Sequence, residues 1–243
     1  MGAARLPMTA DRPPLAEGVP DRLYGRRRGH PLRPRQQRLL DVTLPRLRLT
    51  PDQARDPRAA FGIGDAPLWL EVGFGGGEHA LEQVAAHPEA AYIASEVFEN
   101  GLCSLLTRLV AEGEEATGAL PKNLRLWPQD ARHLLAALPE ASLDRLFLLF
   151  PDPWPKSRHA KRRFVHPSLL PLVARALKPG GTWRIASDDP TYQAWVEEVM
   201  TDAADFTLAD RATARPTDWP GTRYEAKALR EGRTPIYFVF ART

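Results

Sequence analysis

The chain has 243 residues, of which 43% are apolar and 26% charged, and its net charge is +3. This length and composition are typical of a globular protein with one large domain, or one domain and an extension. The single cysteine excludes an intrachain disulfide, the lack of an apolar run of roughly 20 residues excludes a membrane span, and the histidine spacing indicates no metal site. We expect a cytoplasmic protein in which Cys103 is a small buried side chain.

Arginines are concentrated near the N-terminus. Seven of them lie from Arg22 to Arg38, with no acidic residue between. Because a guanidinium group binds phosphate through two parallel hydrogen bonds, this cluster predicts a polyanionic partner, although a solvated tail would have the same composition. We predict a disordered tail at residues 1–20, a basic extension at residues 21–50 and a main domain at residues 51–243. Leucines in the second half of the extension should pack on the main domain.

Beyond the extension, residues 51–67 contain several Gly and Pro and should form a loop, after which strand and helix patterns alternate. Short apolar runs predict strands at residues 68–72, 91–96, 123–127, 143–150, 182–186, 206–209 and 236–240. Helical spacing predicts helices at residues 78–87, 100–112, 131–138, 167–177 and 190–200. Five strand-then-helix units in series predict an α/β fold with a doubly wound, mostly parallel sheet of seven strands.

A glycine cluster follows the first predicted strand, where Gly73, Gly75 and Gly77 allow a tight turn and a close approach of the backbone to a ligand. A dinucleotide fingerprint needs a sixth-position glycine, but Glu78 stands there. Together with Glu71 before the glycines, it would be unfavourable beside a pyrophosphate. The acidic residues instead favour a cationic or amino-bearing ligand, such as the methionyl part of S-adenosylmethionine.

Carboxylates also follow the next two strands. Glu96 closes the second strand, in the position from which a carboxylate can accept both hydroxyls of a ribose. Asp130 follows the third strand and is placed to accept from an adenine amino group, although it could equally be a helix N-cap. These positions predict one ligand site at the carboxyl ends of the parallel strands.

The fourth strand ends in a proline-rich acidic turn with a basic tail. Prolines on both sides of Asp152 restrict the backbone and present the carboxylate in a fixed position, and Trp154 offers a flat face for stacking. The basic side chains that follow predict phosphate contacts that are independent of sequence and sensitive to salt, although such a run is often only a solvated face. They are Lys156, Arg158, Lys161, Arg162 and Arg163.

Several segments together resemble the bacterial tRNA (guanine-N7-)-methyltransferases. They are residues 70–77, 95–96, 129–131, 150–163, 187–188 and 222–225, and the likeness extends over about residues 22–243. The resemblance implies a Rossmann-like class I methyltransferase fold that binds S-adenosylmethionine and tRNA. It also implies N7 methylation of a guanine, by family expectation at position 46 of the variable loop.

The same resemblance implies roles for individual residues. Glu71, Glu96 and Asp130 would hold the cofactor with the glycine turn, and Asp152 would lie near the cofactor and be central to catalysis. The guanine nucleotide would contact Lys156, Asp188, Thr222, Arg223, Tyr224 and Glu225. The RNA would contact Arg158, His159, Lys161, Arg162 and Arg163. The chain departs from the family pattern at Pro155, Asp189 and Tyr224, and of these only Asp189 replaces an aromatic residue.

Other functions use a similar sheet. A nicotinamide-dependent oxidoreductase is disfavoured by the broken dinucleotide fingerprint, and a non-catalytic RNA-binding module is disfavoured by the intact carboxylates at the strand ends. Methyl transfer to another RNA, or to another position, remains open from the residues alone. We infer no obligatory protein partner, and we expect the arginine-rich segment to fold or dock only when RNA is bound.

Overall fold

A computed structural model describes residues 13–15, 23–62 and 64–243, so the predicted tail lies almost entirely outside the described residues. The described strands are β1 (Leu68–Val72), β2 (Ala91–Ser95), β3 (Leu124–Trp127), β4 (Leu143–Leu149), β5 (Leu177–Ser187), β6 (Phe206–Ala212) and β7 (Ile236–Arg242). They form one seven-stranded sheet in the order β3-β2-β1-β4-β5-β7-β6. The first five are parallel and β7 is antiparallel to both of its neighbours, which confirms the predicted doubly wound, mostly parallel sheet.

Helices cover both faces of the sheet. Those that follow a strand are α5 (Glu78–Ala86), α6 (Glu99–Leu109), α7 (Ala131–Ala137), α8 (Leu170–Ala176), α9 (Pro190–Thr201) and α10 (Arg223–Arg230). Because side chains alternate along a strand, Leu70 and Trp69 belong to separate apolar clusters on opposite faces. Strand order reverses between β1 and β4, and in such sheets ligands bind at the carboxyl edge beside this reversal.

The basic extension is joined to the domain by its leucines. It forms α1 (Pro34–Arg38), a π-helical turn (Leu39–Thr43) and α2 (Leu44–Leu47). Leu39, Leu44 and Leu47 are buried in the cluster that contains Trp69, as predicted from their spacing.

The arginine-rich segment also contacts the domain, which corrects the expectation that it orders only on RNA. The Glu99 N–H donates to the Arg27 carbonyl at 2.9 Å, and the Gly29 N–H donates to Asn100 Oδ1 at 3.0 Å. Arg35 donates to the Val110 carbonyl at 2.9 Å. Contacts within the protein therefore fix the described part of this segment.

The predicted loop at residues 51–67 contains two short helices instead, α3 (Pro51–Arg55) and α4 (Pro57–Phe61). Thr50 and Gln53 form a capping box around the start of α3, and Asp56 caps α4 by accepting from the Ala59 N–H at 3.1 Å. A proline at the first helical position needs no N–H partner, so these prolines begin helices and do not interrupt them. No helix in residues 13–15, 23–62 or 64–243 is long and apolar enough to cross a bilayer.

Candidate active site

The glycine turn lies between the end of β1 and the start of α5. Gly73, Gly75 and Gly77 have φ values of 75°, 59° and 81°, in the left-handed region that favours glycine. The Gly73 N–H donates to the Ser95 carbonyl at 2.8 Å, which ties the turn to β2. Gly73 is exposed, and a Cβ atom added there would meet nothing within 4 Å. The backbone at this point is therefore open to a ligand.

Glu96 fixes the turn from the end of β2. Its Oε1 accepts the N–H groups of Val97 at 2.7 Å and Phe98 at 2.9 Å, and its Oε2 accepts the Gly75 N–H at 2.9 Å. A carboxylate offers about four acceptor positions, so one remains, on Oε2. That suffices for one ribose hydroxyl, whereas the sequence suggested two. Burial raises the pKa of Glu96 above its ordinary value, against the lowering effect of the three N–H donors.

Glu71 is more enclosed than its sequence position suggested, with 3% of its surface exposed. Its Oε2 accepts the Tyr92 hydroxyl at 2.7 Å and contacts His79 Nδ1 at 3.0 Å. Burial, and then the Glu71 charge, raise the pKa of Tyr92 well above its ordinary value, so the phenol stays a neutral donor. Oε2 is thus occupied by protein groups, and Oε1 is the oxygen left for an amino group of a ligand.

Asp130 is the N-cap of α7. Its side chain accepts the Arg132 backbone N–H at 3.0 Å and forms an ion pair with the Arg132 guanidinium at 2.5 Å. The structure therefore contains the N-cap that the sequence allowed as an alternative. Both functions would use the same carboxylate, which Arg132 already neutralises. Contact of Asp130 with an adenine amino group stays a prediction.

Asp152 lies in a strained turn beyond β4. Phe150 has φ 51° and Trp154 has φ 44°, which is rare for aromatic residues and costs on the order of 1–3 kcal/mol each. The Phe150 N–H donates to the Ala186 carbonyl at 2.7 Å and anchors the turn to the end of β5. Asp152 itself is exposed. The turn thus presents the carboxylate from a constrained backbone, as its flanking prolines predicted.

Arg163 does not belong to the exposed basic surface, so its position does not support the predicted RNA contact. Only 6% of the residue is exposed. Its Nε donates to the Pro153 carbonyl at 3.1 Å, its Nη2 donates to the Trp154 carbonyl at 3.0 Å, and its guanidinium lies 4.8 Å from the centre of the Trp195 ring. This arginine faces the protein interior beneath the Asp152 turn.

Arg162 packs on Trp154, a side chain of the Asp152 turn. Its guanidinium lies 4.7 Å from the centre of the Trp154 ring and 5.3 Å from that of Tyr24, which belongs to the basic extension. One face of the predicted stacking platform is therefore covered by protein. A cavity of about 140 Å³ adjoins this cluster, between Tyr24, Arg132 and the stretch from Lys161 to Leu169.

The other basic side chains of the tail face solvent. Lys156, Arg158 and Lys161 are exposed and form no ion pair with any described residue. Partial burial, and then the charges of Arg162 and its basic neighbours, lower the pKa of His159. Such uncompensated positive charge is suited to phosphate.

The segment from Thr222 to Glu225 is a capping box that begins α10. Thr222 Oγ1 accepts the Glu225 N–H at 3.0 Å, and Glu225 Oε2 accepts the Thr222 N–H at 3.3 Å. Glu225 is 8% exposed, and its Oε1 also accepts from the Tyr237 hydroxyl at 2.7 Å and from Arg215 Nε at 3.0 Å. Glu225 is thus chiefly engaged by the protein, and for its predicted contact with guanine one acceptor position remains, on Oε2.

Two exposed side chains of this segment, Arg223 and Tyr224, lie close to the glycine turn. Arg223 Nη2 donates to the Tyr224 hydroxyl at 3.1 Å, and a Cβ atom on Gly75 would lie 3.1 Å from Tyr224 Cε2. Asp188, at the end of β5, pairs with Arg233 Nε at 2.6 Å through one oxygen. The predicted cofactor and substrate residues therefore meet at one edge of the sheet.

Cys103 is buried in α6, and burial followed by the Glu99 charge raises the pKa of its thiol to about 11, so it packs as a neutral group. Among the residues that the structure describes, no three His, Cys, Asp or Glu side chains converge as metal ligands would.

Known proteins resemble this chain in sequence and in fold. The family model described as "Putative methyltransferase" matches residues 65–238. A tRNA (guanine-N(7)-)-methyltransferase of Granulibacter bethesdensis is 62% identical over 224 residues, which cover 92% of this chain and 96% of the relative. One from Rhodospirillum rubrum is 47% identical over 230 residues, covering 91% of this chain and 88% of the relative.

Solved structures share the fold at low identity. The 16S rRNA methyltransferase KamB superposes with a TM-score of 0.54 at 18% identity, over 79% of this chain and 92% of that one. An antibiotic-related methyltransferase has a TM-score of 0.53 at 14% identity, over 78% of this chain and 94% of that one. The sheet is thus the Rossmann-like class I methyltransferase fold. With the sequence relatives, it shows that the chain belongs to the tRNA (guanine-N7-)-methyltransferase family.

Proposed function

We propose that this protein transfers a methyl group from S-adenosylmethionine to N7 of a guanine in tRNA. The observation that carries the proposal is the contact of Tyr224 with the Gly75 turn, because it brings the substrate segment against the cofactor segment. The relatives' names supply the identity of the substrate. A cytoplasmic location fits a tRNA substrate and a single buried thiol.

The residues at the edge fit the cofactor in chemistry and in space. The carbonyl of the exposed Gly73 and the free Glu71 oxygen would accept from its amino group, and the remaining Glu96 acceptor would accept from a ribose hydroxyl. Gly75 and Gly77 shape the turn, and Asp130 and Asp152 complete the set. The bound cofactor supplies a methyl on a sulfonium, so the S–CH₃ bond breaks as the N7–CH₃ bond forms and the positive charge moves to the purine.

Guanine N7 has an in-plane lone pair and loses no proton on methylation, so no base is needed at the nucleophile. Asp152 accepts no hydrogen bond from the described residues and is free to accept from guanine N1–H and N2–H, as is the second oxygen of Asp188. These hydrogen bonds strengthen as the ring gains charge, which stabilises the transition state more than the ground state. Alignment by Lys156 and the Thr222–Glu225 segment supplies the remaining acceleration.

N7 faces the deep, narrow major groove of an RNA helix, so the target guanine has to lie in an accessible loop or be displaced. Position 46 of the variable loop is the expected target. Basic side chains on the tail after Asp152 would bind the backbone around it: the exposed Lys156, Arg158 and Lys161 and the half-buried His159 and Arg162.

The test incubates purified protein with methyl-labelled S-adenosylmethionine and an unmodified tRNA transcript, and then analyses the nucleosides. The expected product is N7-methylguanosine. Label in another nucleoside, or methylation of other RNA with no labelling of tRNA, would contradict the proposal. Calorimetry adds an independent check, because binding of NADH without binding of S-adenosylmethionine would favour the oxidoreductase.

A further inference from the structure

We propose that Arg163 is a positioning residue that holds the Asp152 turn in its working conformation and does not bind RNA. Arg163 lies at the end of a basic run in which Lys156, Arg158 and Lys161 face solvent, so by sequence it is one more phosphate contact. Its burial and its two backbone partners assign it to the turn. The inference rests on the proposed function for the meaning of Asp152.

Every second residue of the turn lacks a backbone donor. Residues 151, 153 and 155 are prolines and have no N–H, so the turn hydrogen bonds that would be donated at these positions cannot form. Its left-handed backbone at Trp154 therefore needs support from elsewhere in the protein. Arg163 gives that support, with one N–H donated to the carbonyl of Pro153 and another to that of Trp154.

The guanidinium is itself held in place. Its carbon lies 4.8 Å from the centre of the Trp195 ring, and the Trp195 indole N–H donates to the Val165 carbonyl at 2.6 Å. Because the planar guanidinium is held on the Trp195 ring, it can define the orientation of the two successive carbonyls of Pro153 and Trp154. Asp152 stands directly before Pro153 and Trp154 in the chain. A shift of either of their carbonyls would therefore move the Asp152 carboxylate.

A lysine at position 163 separates this role from RNA binding. Lysine keeps the charge and binds phosphate well as a point charge, but it cannot reproduce the two-pronged geometry. We expect Arg163→Lys and Arg163→Gln to lower kcat at saturating tRNA by about 10- to 100-fold, the range that a small misplacement of a reacting group causes. The tRNA dissociation constant and its salt dependence should stay unchanged in both variants.

Two matched variants complete the experiment. Arg175 donates to the carbonyls of Leu135, Ala136 and Leu138, away from the strand edge. Arg175→Lys therefore removes another guanidinium that holds backbone carbonyls through Nη2, and it should leave kcat unchanged. Arg158→Gln removes an exposed cation and should reduce the salt slope of tRNA binding by about 1, as loss of one phosphate contact does.

Hydrogen exchange adds a readout that needs no activity. In Arg163→Lys the Phe150 amide, which donates to the Ala186 carbonyl at the base of the turn, should exchange faster, with the rest of the sheet unchanged and melting temperature within a few degrees of wild type. Wild-type kcat in Arg163→Lys, or a reduced salt slope in Arg163→Gln, would overturn the inference. If the wild-type protein did not methylate tRNA, the proposed function would fail, whereas unchanged exchange at the turn would refute the role of Arg163 on its own.

Discussion

Tyr224 lies against Gly75, so closely that a Cβ atom on this glycine would come within 3.1 Å of Tyr224 Cε2. Gly75 shapes the glycine turn, and Tyr224 stands in the first turn of α10, the helix that the Thr222–Glu225 segment begins. The two binding elements are therefore in direct contact, so a shift of one would displace the other.

Gly75→Ala tests this contact. Its φ of 59° costs a non-glycine residue roughly 1–2 kcal/mol, and the added methyl group would also press on Tyr224. We expect weaker binding of S-adenosylmethionine by calorimetry and a lower kcat. Gly180→Ala is the control, because Gly180 has φ 76° and nothing within 4 Å of an added Cβ. Equal losses of cofactor affinity in the two variants would contradict the account.

Substitutions of Asp152 test whether it orients guanine or removes a proton. Asp152→Asn keeps an oxygen acceptor at the same place, so we expect a rate about 10-fold below wild type, whereas Asp152→Ala should fall by roughly 10²- to 10³-fold, the loss typical of a deleted transition-state hydrogen bond. Single-turnover rates with saturating tRNA measure the difference. Equal loss in the two variants would indicate an obligatory base.

We expect His159 to make tRNA binding dependent on pH. Partial burial and the neighbouring cations lower its pKa below the ordinary value of 6.5. Phosphates of a bound tRNA would offset those cations and raise the pKa again, so binding is linked to proton uptake and tRNA affinity should increase as the pH falls below about 6.5. Dissociation constants measured at several pH values should show this trend in wild type and a flatter one in His159→Gln. Identical pH profiles would exclude the linkage.

Truncations test the proposed boundary at residue 50. Removing residues 1–28 takes away Tyr24 and the Arg28–Glu99 ion pair, and should weaken tRNA binding with little effect on binding of S-adenosylmethionine. Removing residues 1–50 also strips Leu39, Leu44 and Leu47 from the core, where each leucine contributes about 2–5 kcal/mol. The shorter chain should melt far below the full one. Equal melting temperatures would show that the extension is a separate unit.

The sheet was predictable from the sequence because its strands are short apolar runs separated by helical spacing. The sequence prediction was wrong where a residue type is common both in loops and at the start of a helix. Pro51 and Pro57 stand at first helical positions, and the Thr50–Gln53 and Thr222–Glu225 pairs are capping boxes, a signal that the sequence contains and that would have located three helices.

The interior of the site was less predictable. Arg163 and Arg158 are alike in sequence, and only the folded chain shows that one reaches backbone carbonyls while the other faces solvent. Likewise, nothing local to Glu71 indicates that Tyr92 and His79, on other elements, occupy one of its oxygens. Long-range partners of charged groups are set by tertiary packing, which patterns along one chain do not contain.

The central claim is methyl transfer to N7 of a guanine in tRNA. The most direct measurement maps the labelled position in an unmodified transcript and repeats the assay on a tRNA with 7-deazaguanosine at that position alone. Because 7-deazaguanosine has carbon in place of N7 but keeps the N1–H and N2–H donors, we predict binding close to that of the normal tRNA and no methyl transfer. Equal methylation of the two tRNAs would contradict the account.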